Sequence, residues 1–384
     1  MQNGLLKSQK STSKEASDLY VVNNVSEKEA GVTRLMDLMA NNGLCFYKTD
    51  ANLKFGSPQG LIAKDDVVII KVNSQWEQRG GTNTDLLKLL VRAILDHPEG
   101  FRGEVIIADN GQAQHGSAQK GGSFTWAYNN ARDTAQSVQK VADSFQSLKV
   151  STYLWDTITE TQVAEYSDSD LKDGYIVEST PKPGSGFLVS YPKFKSKFGT
   201  YISLKQGVWD SQTKKYYSDS LKLINLPVLK AHFIYGVTGC VKSYMGVVSD
   251  KLTTKMGASS HQKVALGAMG TEMVETRFPS LNILDATWVN AKPGAGPWTP
   301  YDAATWGDVI LAGIDPVAVD IWAARHVLMT LAREAGQTKL DSIDPDNKAG
   351  KTFGQWLSLA AAEIKKSGYK AALDETQMNV FVSE

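Results

Sequence analysis

The residues best suited to chemistry lie between two glycine-marked turns, in Asn225-Leu-Pro-Val-Leu-Lys-Ala-His232 and Gly236-Val-Thr-Gly-Cys-Val-Lys-Ser-Tyr-Met-Gly246. From residue 221 to residue 270 there are six lysines (222, 230, 242, 251, 255 and 263), no arginine, and Asp250 as the only acid. The whole chain balances 41 basic against 41 acidic residues. A local excess of positive charge on a neutral protein concentrates anions, so the expected partner is a small molecule bearing phosphate or carboxylate. His232 follows Lys230 by two residues, and its ordinary pKa near neutrality suits proton transfer. Lys230, His232 and Asp109 are therefore the candidate catalytic groups, with a hydrogen-bonded structural histidine as the competing reading of His232.

The glycines suggest an anion loop, because Gly236 and Gly239 would let backbone amides at a helix start approach a negative group, with Lys242 and Ser243 close by. This is not a Walker loop, since only two residues separate the glycines and no Gly-Lys-Ser/Thr ending follows. The alternative is that the glycines serve tight turning and helix packing, with Lys242 solvated. His232, His261, Asp109 and Asp285 match no local zinc spacing, and no metal site is assigned. Cys45 and Cys240 are the only cysteines, too few for a disulfide framework or a cysteine-ligated cluster.

These groups need a scaffold that brings them together. Val67-Val-Ile-Ile-Lys-Val-Asn73 is a β-branched run expected of a parallel strand covered on both faces. Thr82 to Asp85 offers a helix start, Leu86, Leu87, Leu90, Val91, Ile94 and Leu95 form its buried stripe, and Glu104 to Asn110 is the next strand, completing a right-handed βαβ unit. Residues 111–125, rich in glycine, glutamine and serine, are expected as a loop or lid. A helix is expected over 126–148 and a strand over 150–155. Short aromatic segments over 174–220 predict antiparallel hairpins. The α/β pattern then resumes with strands at 221–226, 281–288 and 308–314, and helices at 239–248 and 263–277. A helix starts at Asp315-Pro316, where the aspartate can cap, and a last helix spans 353–367. The fold class is α/β: a mostly parallel sheet flanked by helices, with an inserted antiparallel hairpin region. The domain reading is a disordered tail over 1–18, an α/β domain over 19–335 with its β insert at about 174–220, and a peripheral C-terminal helical extension over 336–384.

Ligands of open α/β sheets bind beyond the carboxyl ends of the strands. The polar groups expected there are Lys71 and Asn73, Asp109, Asn110 and Gly111, Lys230 and His232, and Asp285. With Gly236, Thr238, Gly239, Lys242 and Ser243 they make up the candidate ligand-binding set. Lys71 has a second reading as a structural ion-pair partner of Asp109.

The outer limits come from bulk properties. A chain of 384 residues with 42% hydrophobic content can bury a large core. Its apolar runs are far shorter than the ~20 residues of a membrane span, so no membrane span is expected. Neutral charge without an arginine-rich stripe argues against a nucleic-acid partner. The polar start carries no apolar signal region, so a cytoplasmic location is the default, with an exported protein whose signal was removed as the alternative.

Taken in order, Lys71-Val-Asn73, Thr82 to Asp85, Ala108-Asp-Asn-Gly111, Asn225 to His232, Thr238 to Gly246, Ile283-Leu-Asp-Ala286, Gly296-Pro297 and Gly313-Ile-Asp-Pro-Val-Ala-Val-Asp320 resemble the domain-of-unknown-function 362 family over about residues 60–330. Members typically show Lys-Pro-Asn, Leu-Lys-Thr-His and Lys-Asn where this chain has Lys71-Val72-Asn73, Leu229-Lys-Ala-His232 and Lys242-Ser243. Some relatives carry ferredoxin-type cysteine clusters, which this chain lacks. The resemblance implies a set of positions but no reaction and no named cofactor. The leading functional expectation is an enzyme acting on an anionic small molecule at the Lys/His/Gly site. The alternatives are a non-catalytic binder of an anionic ligand or cofactor, and an accessory redox protein with a metal or flavin.

Overall fold

A computed structural model describes residues 7–383 apart from residue 14, residues 26–30, 52–59, 113–121 and 255–258, and the side chain of residue 254. The main sheet is built on β1 (Ser17–Asn23), β4 (Val67–Lys71), β5 (Glu104–Asp109) and β6 (Val150–Leu154), with β2 (Cys45–Lys48) and β3 (Gly60–Ala63) pairing separately. An antiparallel sheet follows from β7 (Gly174–Val177), β8 (Ser190–Lys195), β9 (Tyr201–Ser203), β10 (Gly207–Asp210) and β11 (Lys215–Tyr217). The main sheet is completed by β12 (Leu221–Asn225), β13 (Val228–His232), β14 (Gly236–Thr238), β15 (Leu281–Asn290), β16 (Thr305–Gly313) and β17 (Met378–Ser383). Its order is β17-β1-β16-β15-β12-β4-β5-β6. All neighbours on that path are parallel except where β16 runs against β1 and β15.

The β-branched run of β4 is buried at every position because alternate side chains enter two cores. Val67 and Ile69 join one hydrophobic cluster, and Val68 and Ile70 join the other. The second cluster is closed by the Gly31–Asn41, Thr84–Leu95 and Val138–Asp143 helices, which contribute Leu35, Leu87, Leu90 and Val141. Asn83 caps the Thr84–Leu95 helix, its side-chain oxygen accepting from the backbone N–H groups of Asp85 and Leu86 at 3.0 and 3.2 Å. The first cluster is covered by the antiparallel insert, through Tyr175, Phe187, Phe194 and Ile202, and by the helices after β16. The insert is thus one wall of the core.

Several expectations are corrected. The helix expected over 126–148 is reduced to Val138–Asp143. Ahead of it the Asn129 amide donates to the carbonyls of Trp126 and Thr134, so a side chain takes carbonyls a helix would need, and the Asn130 amide ties the segment to the Gly81 carbonyl. The helix expected over 263–277 is split by Gly267, in the left-handed region at φ 79°, into Ser260–Lys263 and Ala268–Glu275. The helix over 239–248 is replaced by a tight 3-10 turn at Lys242–Gly246.

The chain ends also differ from expectation. Residues 1–6 and 14 of the tail lie outside the described residues, but Gln9 bridges to Val380 and Ser17 begins a strand inside the main sheet. The supposed peripheral extension is integral. Trp356 and Phe353 of the Phe353–Lys366 helix are fully buried, the Trp356 indole donates to the Tyr235 carbonyl at 2.8 Å, and β17 pairs with β1 along six residues. Most of the lid expected over 111–125 lies outside the described residues.

Among the described residues no helix is long and apolar enough to cross a membrane.

Candidate functional site

The site depends on one departure from a regular sheet. β12 pairs with β4 as far as Asn225 opposite Lys71, and then Leu226-Pro227 interrupts the ladder. β13 continues in the same direction but pairs only with the distal half of β15, Val228 opposite Asp285 and Lys230 opposite Asn290. It therefore projects past the carboxyl ends of β4 and β5, where it turns back into β14 with Lys230 opposite Thr238. The Asn73 side chain pins this overshoot by accepting from the Val228 N–H at 2.9 Å. A cavity of about 250 Å³ lies at this edge.

Its floor is polar and cationic. Lys230 and Lys242 are 3% and 4% exposed, and Thr238, Ser243, His232 and His261 stand beside them. Lys230 donates to the Gly80 carbonyl. Lys242 has no hydrogen-bond or ion-pair partner among the described residues; its amine lies 5.7 Å from the ring centre of Tyr235. Burial pushes both amines down to about 7. The charge of Lys242 adds to the effect on Lys230, and that of Lys71 to the effect on Lys242. The Thr238 hydroxyl is also buried without a hydrogen-bond partner among the described residues.

His232 is held in a defined state. Its Nδ1 accepts from the backbone N–H groups of Ile234 and Tyr235 at 3.1 and 3.3 Å, so the neutral ring carries its hydrogen on Nε2. Burial, followed by the neighbouring charge of Lys242, places its pKa far below the ordinary value. The ring is therefore a neutral donor, and an acid/base role at neutral pH does not fit it. Around the mouth stand Trp76, Trp298 and Phe233, with ring centres of Trp76 and Trp298 5.9 Å apart and of Phe233 and Trp298 6.0 Å apart.

Lys71 lies beneath this floor, paired with Asp109, which itself lines the cavity. The Lys71 amine bonds Asp109 Oδ1 at 2.9 Å and donates to the Val72 carbonyl and the Ser243 hydroxyl at 2.8 Å each. The other Asp109 oxygen accepts from the backbone N–H and hydroxyl of Ser74, both at 2.8 Å. Burial pushes the lysine down and the carboxyl up, while their mutual attraction opposes both shifts. Lys71 is engaged by one ion pair and two hydrogen-bond acceptors, and it does not line the cavity. A methyl on Gly246 would lie 2.1 Å from Asp109 Oδ1, so only glycine lets the 3-10 turn close over the pair.

The anion loop expected at Gly236 to Gly239 is not formed. Gly236 is a strand residue whose backbone, at φ 75°, packs on the Ser342 carbonyl. The amides after Gly239 are already occupied: Asp320 accepts from Cys240 N–H at 2.6 Å and Val241 N–H at 3.0 Å, and a methyl on Gly239 would lie 2.3 Å from its Oδ1. Burial raises Asp320 to about 7 against the pull of those two donors. An internal carboxylate thus sits where an anion was expected.

Of the remaining sequence candidates, Asn73, Asn110, Thr238 and Ser243 line the cavity. Asn110 is bound on every side, donating to Tyr175, Val248 and Thr159 and accepting from Gln112 N–H. Gly111 is not part of the lining, because its backbone packs on Gly122. Asp285 is remote, accepting from Thr287 N–H at 2.9 Å and from the Asn130 amide. The aromatic mouth was missed, since Trp76, Phe233 and Trp298 lie in segments without periodicity.

A larger cavity of about 730 Å³ lies apart, beside the Thr84–Leu95 helix. Its Arg79 is engaged by Asn130, Ala131 and the Trp288 ring, and its Arg92 lies over Phe145. Among the described residues no three His, Cys, Asp or Glu side chains converge as metal ligands.

Fold and crevice together define an α/β protein with a crevice lined by two buried lysines at the carboxyl edge of its sheet. Residues 201–325 match the family described as Domain of unknown function (DUF362). The match takes in β9 to β16 and the start of the helix after them, while β4 and β5 lie outside it. No curated protein and no solved structure matches the chain.

Proposed function

We propose that the crevice binds a small organic anion and that the protein is an enzyme acting on it, with Lys230 and Lys242 holding the negative group and the Nε2–H of His232 as a further donor. The observation that carries this reading is the amine of Lys242, a residue 4% exposed at the cavity floor, which has no acceptor among the described residues. An amine taken out of water without a partner is costly, and an anion would supply the partner. Catalysis is favoured over binding alone because two amines near neutrality can exchange protons at working pH. The volume, about 250 Å³, is below the ~300–1,000 Å³ of pockets for drug-sized ligands, which favours a compact acid over a nucleotide. Native mass spectrometry of freshly purified protein tests the reading. An anionic adduct is expected, and it should be lost in the Lys230→Met, Lys242→Met double variant. A bare protein after reconstitution with carboxylates and phosphates would count against it.

A further inference from the structure

We infer that Lys242 is a nucleophile that forms an imine with the carbonyl group of a small 2-oxo acid, whose carboxylate is held by Lys230. This deepens the anion-site reading and rests on it. Imine formation requires a neutral amine with a free lone pair, near a carbonyl and shielded from bulk water. Lys242 is the one of the two floor lysines without a hydrogen-bond partner among the described residues, whereas Lys230 is fixed by the Gly80 carbonyl. The geometry thus divides the labour: Lys230 is placed as a fixed charge and Lys242 as the free amine. Burial and the nearby Lys71 charge leave Lys242 largely unprotonated just above neutrality. Desolvation beside a second cationic group is a general route to a nucleophilic lysine.

In the step itself, the Lys242 Nζ lone pair attacks the carbonyl carbon and the C=O π pair moves to oxygen. That oxygen is protonated, with the Nε2–H of His232 and the Thr238 hydroxyl on the same floor available to hydrogen-bond it. Loss of the nitrogen protons and departure of the oxygen as water leave a C=N bond. One amine and one carbonyl become one imine and one water, with no oxidant or reductant consumed.

The test is reductive trapping. The full-length protein is incubated with pyruvate and then borohydride, and the product is read by intact mass and peptide mapping. In parallel, calorimetry measures the binding of pyruvate and of lactate, which has no carbonyl. One reduced pyruvate unit on Lys242 is expected, with labelling more than about tenfold above that of exposed Lys172 and none on the arginine in Lys242→Arg. Mapping in the unsubstituted protein decides the matter even if that variant does not fold. Binding of both acids without an adduct at Lys242, or labelling confined to Lys230 or surface lysines, overturns the imine and leaves the anion reading standing. Neither binding nor adduct overturns both.

Discussion

Lys242 and Lys71 are both buried lysines, yet the structure treats them in opposite ways. Lys71 is ion-paired with Asp109 and donates to the Val72 carbonyl and the Ser243 hydroxyl, which is how a buried charge becomes tolerable. Among the described residues Lys242 has only the face of Tyr235. The difference has a thermodynamic signature. With its pKa lowered from 10.5 to about 7 in the folded protein, Lys242 binds fewer protons folded than unfolded between those values. Stability from this group therefore rises with pH through that window, and the penalty is fully present below it. Lys242→Met should remove this group's share of the dependence, while Lys230, also lowered to about 7, keeps its own. Chemical denaturation from pH 6 to pH 10 should show the variant gaining most at pH 6 to 7, with the advantage shrinking by up to about 1.4 kcal/mol per pH unit as pH rises. Parallel pH profiles for the two proteins would show that the amine is not held near neutrality.

At the scale of elements, the site depends on the bent β12–β13 strand and on the 3-10 turn that replaces an expected helix. Asp320 fixes that turn from the Pro316–Ala323 helix by accepting from the amides of Cys240 and Val241. Asp320→Asn would set an amide NH₂ against one of those N–H groups, since its single oxygen cannot accept in both places. A loss of about 2–3 kcal/mol in unfolding free energy is expected, together with weaker ligand binding as Lys242 and Ser243 shift. An unchanged unfolding midpoint would mean that the turn is held by other contacts. Little of this could be read from the sequence, because Asp320 lies 80 residues from Cys240 and nothing in local spacing links them. The strands were another matter. Val67 to Lys71 declares itself by β-branched residues without a polar break, and Asp315-Pro316 by its capping chemistry.

Over the whole molecule the crevice is assembled from segments far apart in sequence: the end of β4 at Asn73, the end of β5 at Asp109 and Asn110, the β13–β14 hairpin, the Lys242–Gly246 turn, and the loop carrying Trp298. The rule that ligands bind at the carboxyl edge of an α/β sheet located the first three from sequence. It could not tell Lys71, pointing into support, from Lys242, facing the cavity, because that depends on which neighbours satisfy each amine. Nor could it show that β1 and β17 complete the sheet, since strands contributed by the two chain ends pair across more than 350 residues of sequence.

The central claim is that the assembled floor holds a small anion through Lys230 and Lys242, and titration calorimetry tests it most directly. Small carboxylates and inorganic phosphate would be titrated at pH 8 in buffers of different ionisation enthalpy, with the unsubstituted protein and with the Lys230→Met, Lys242→Met variant. Since both amines lie near 7 when the site holds no anion, an anion that favours their charged forms must draw in protons as it binds. Saturable binding of at least one such anion with net proton uptake is expected, abolished in the double variant. Binding without proton uptake, or binding equally strong in the variant, would contradict the claim.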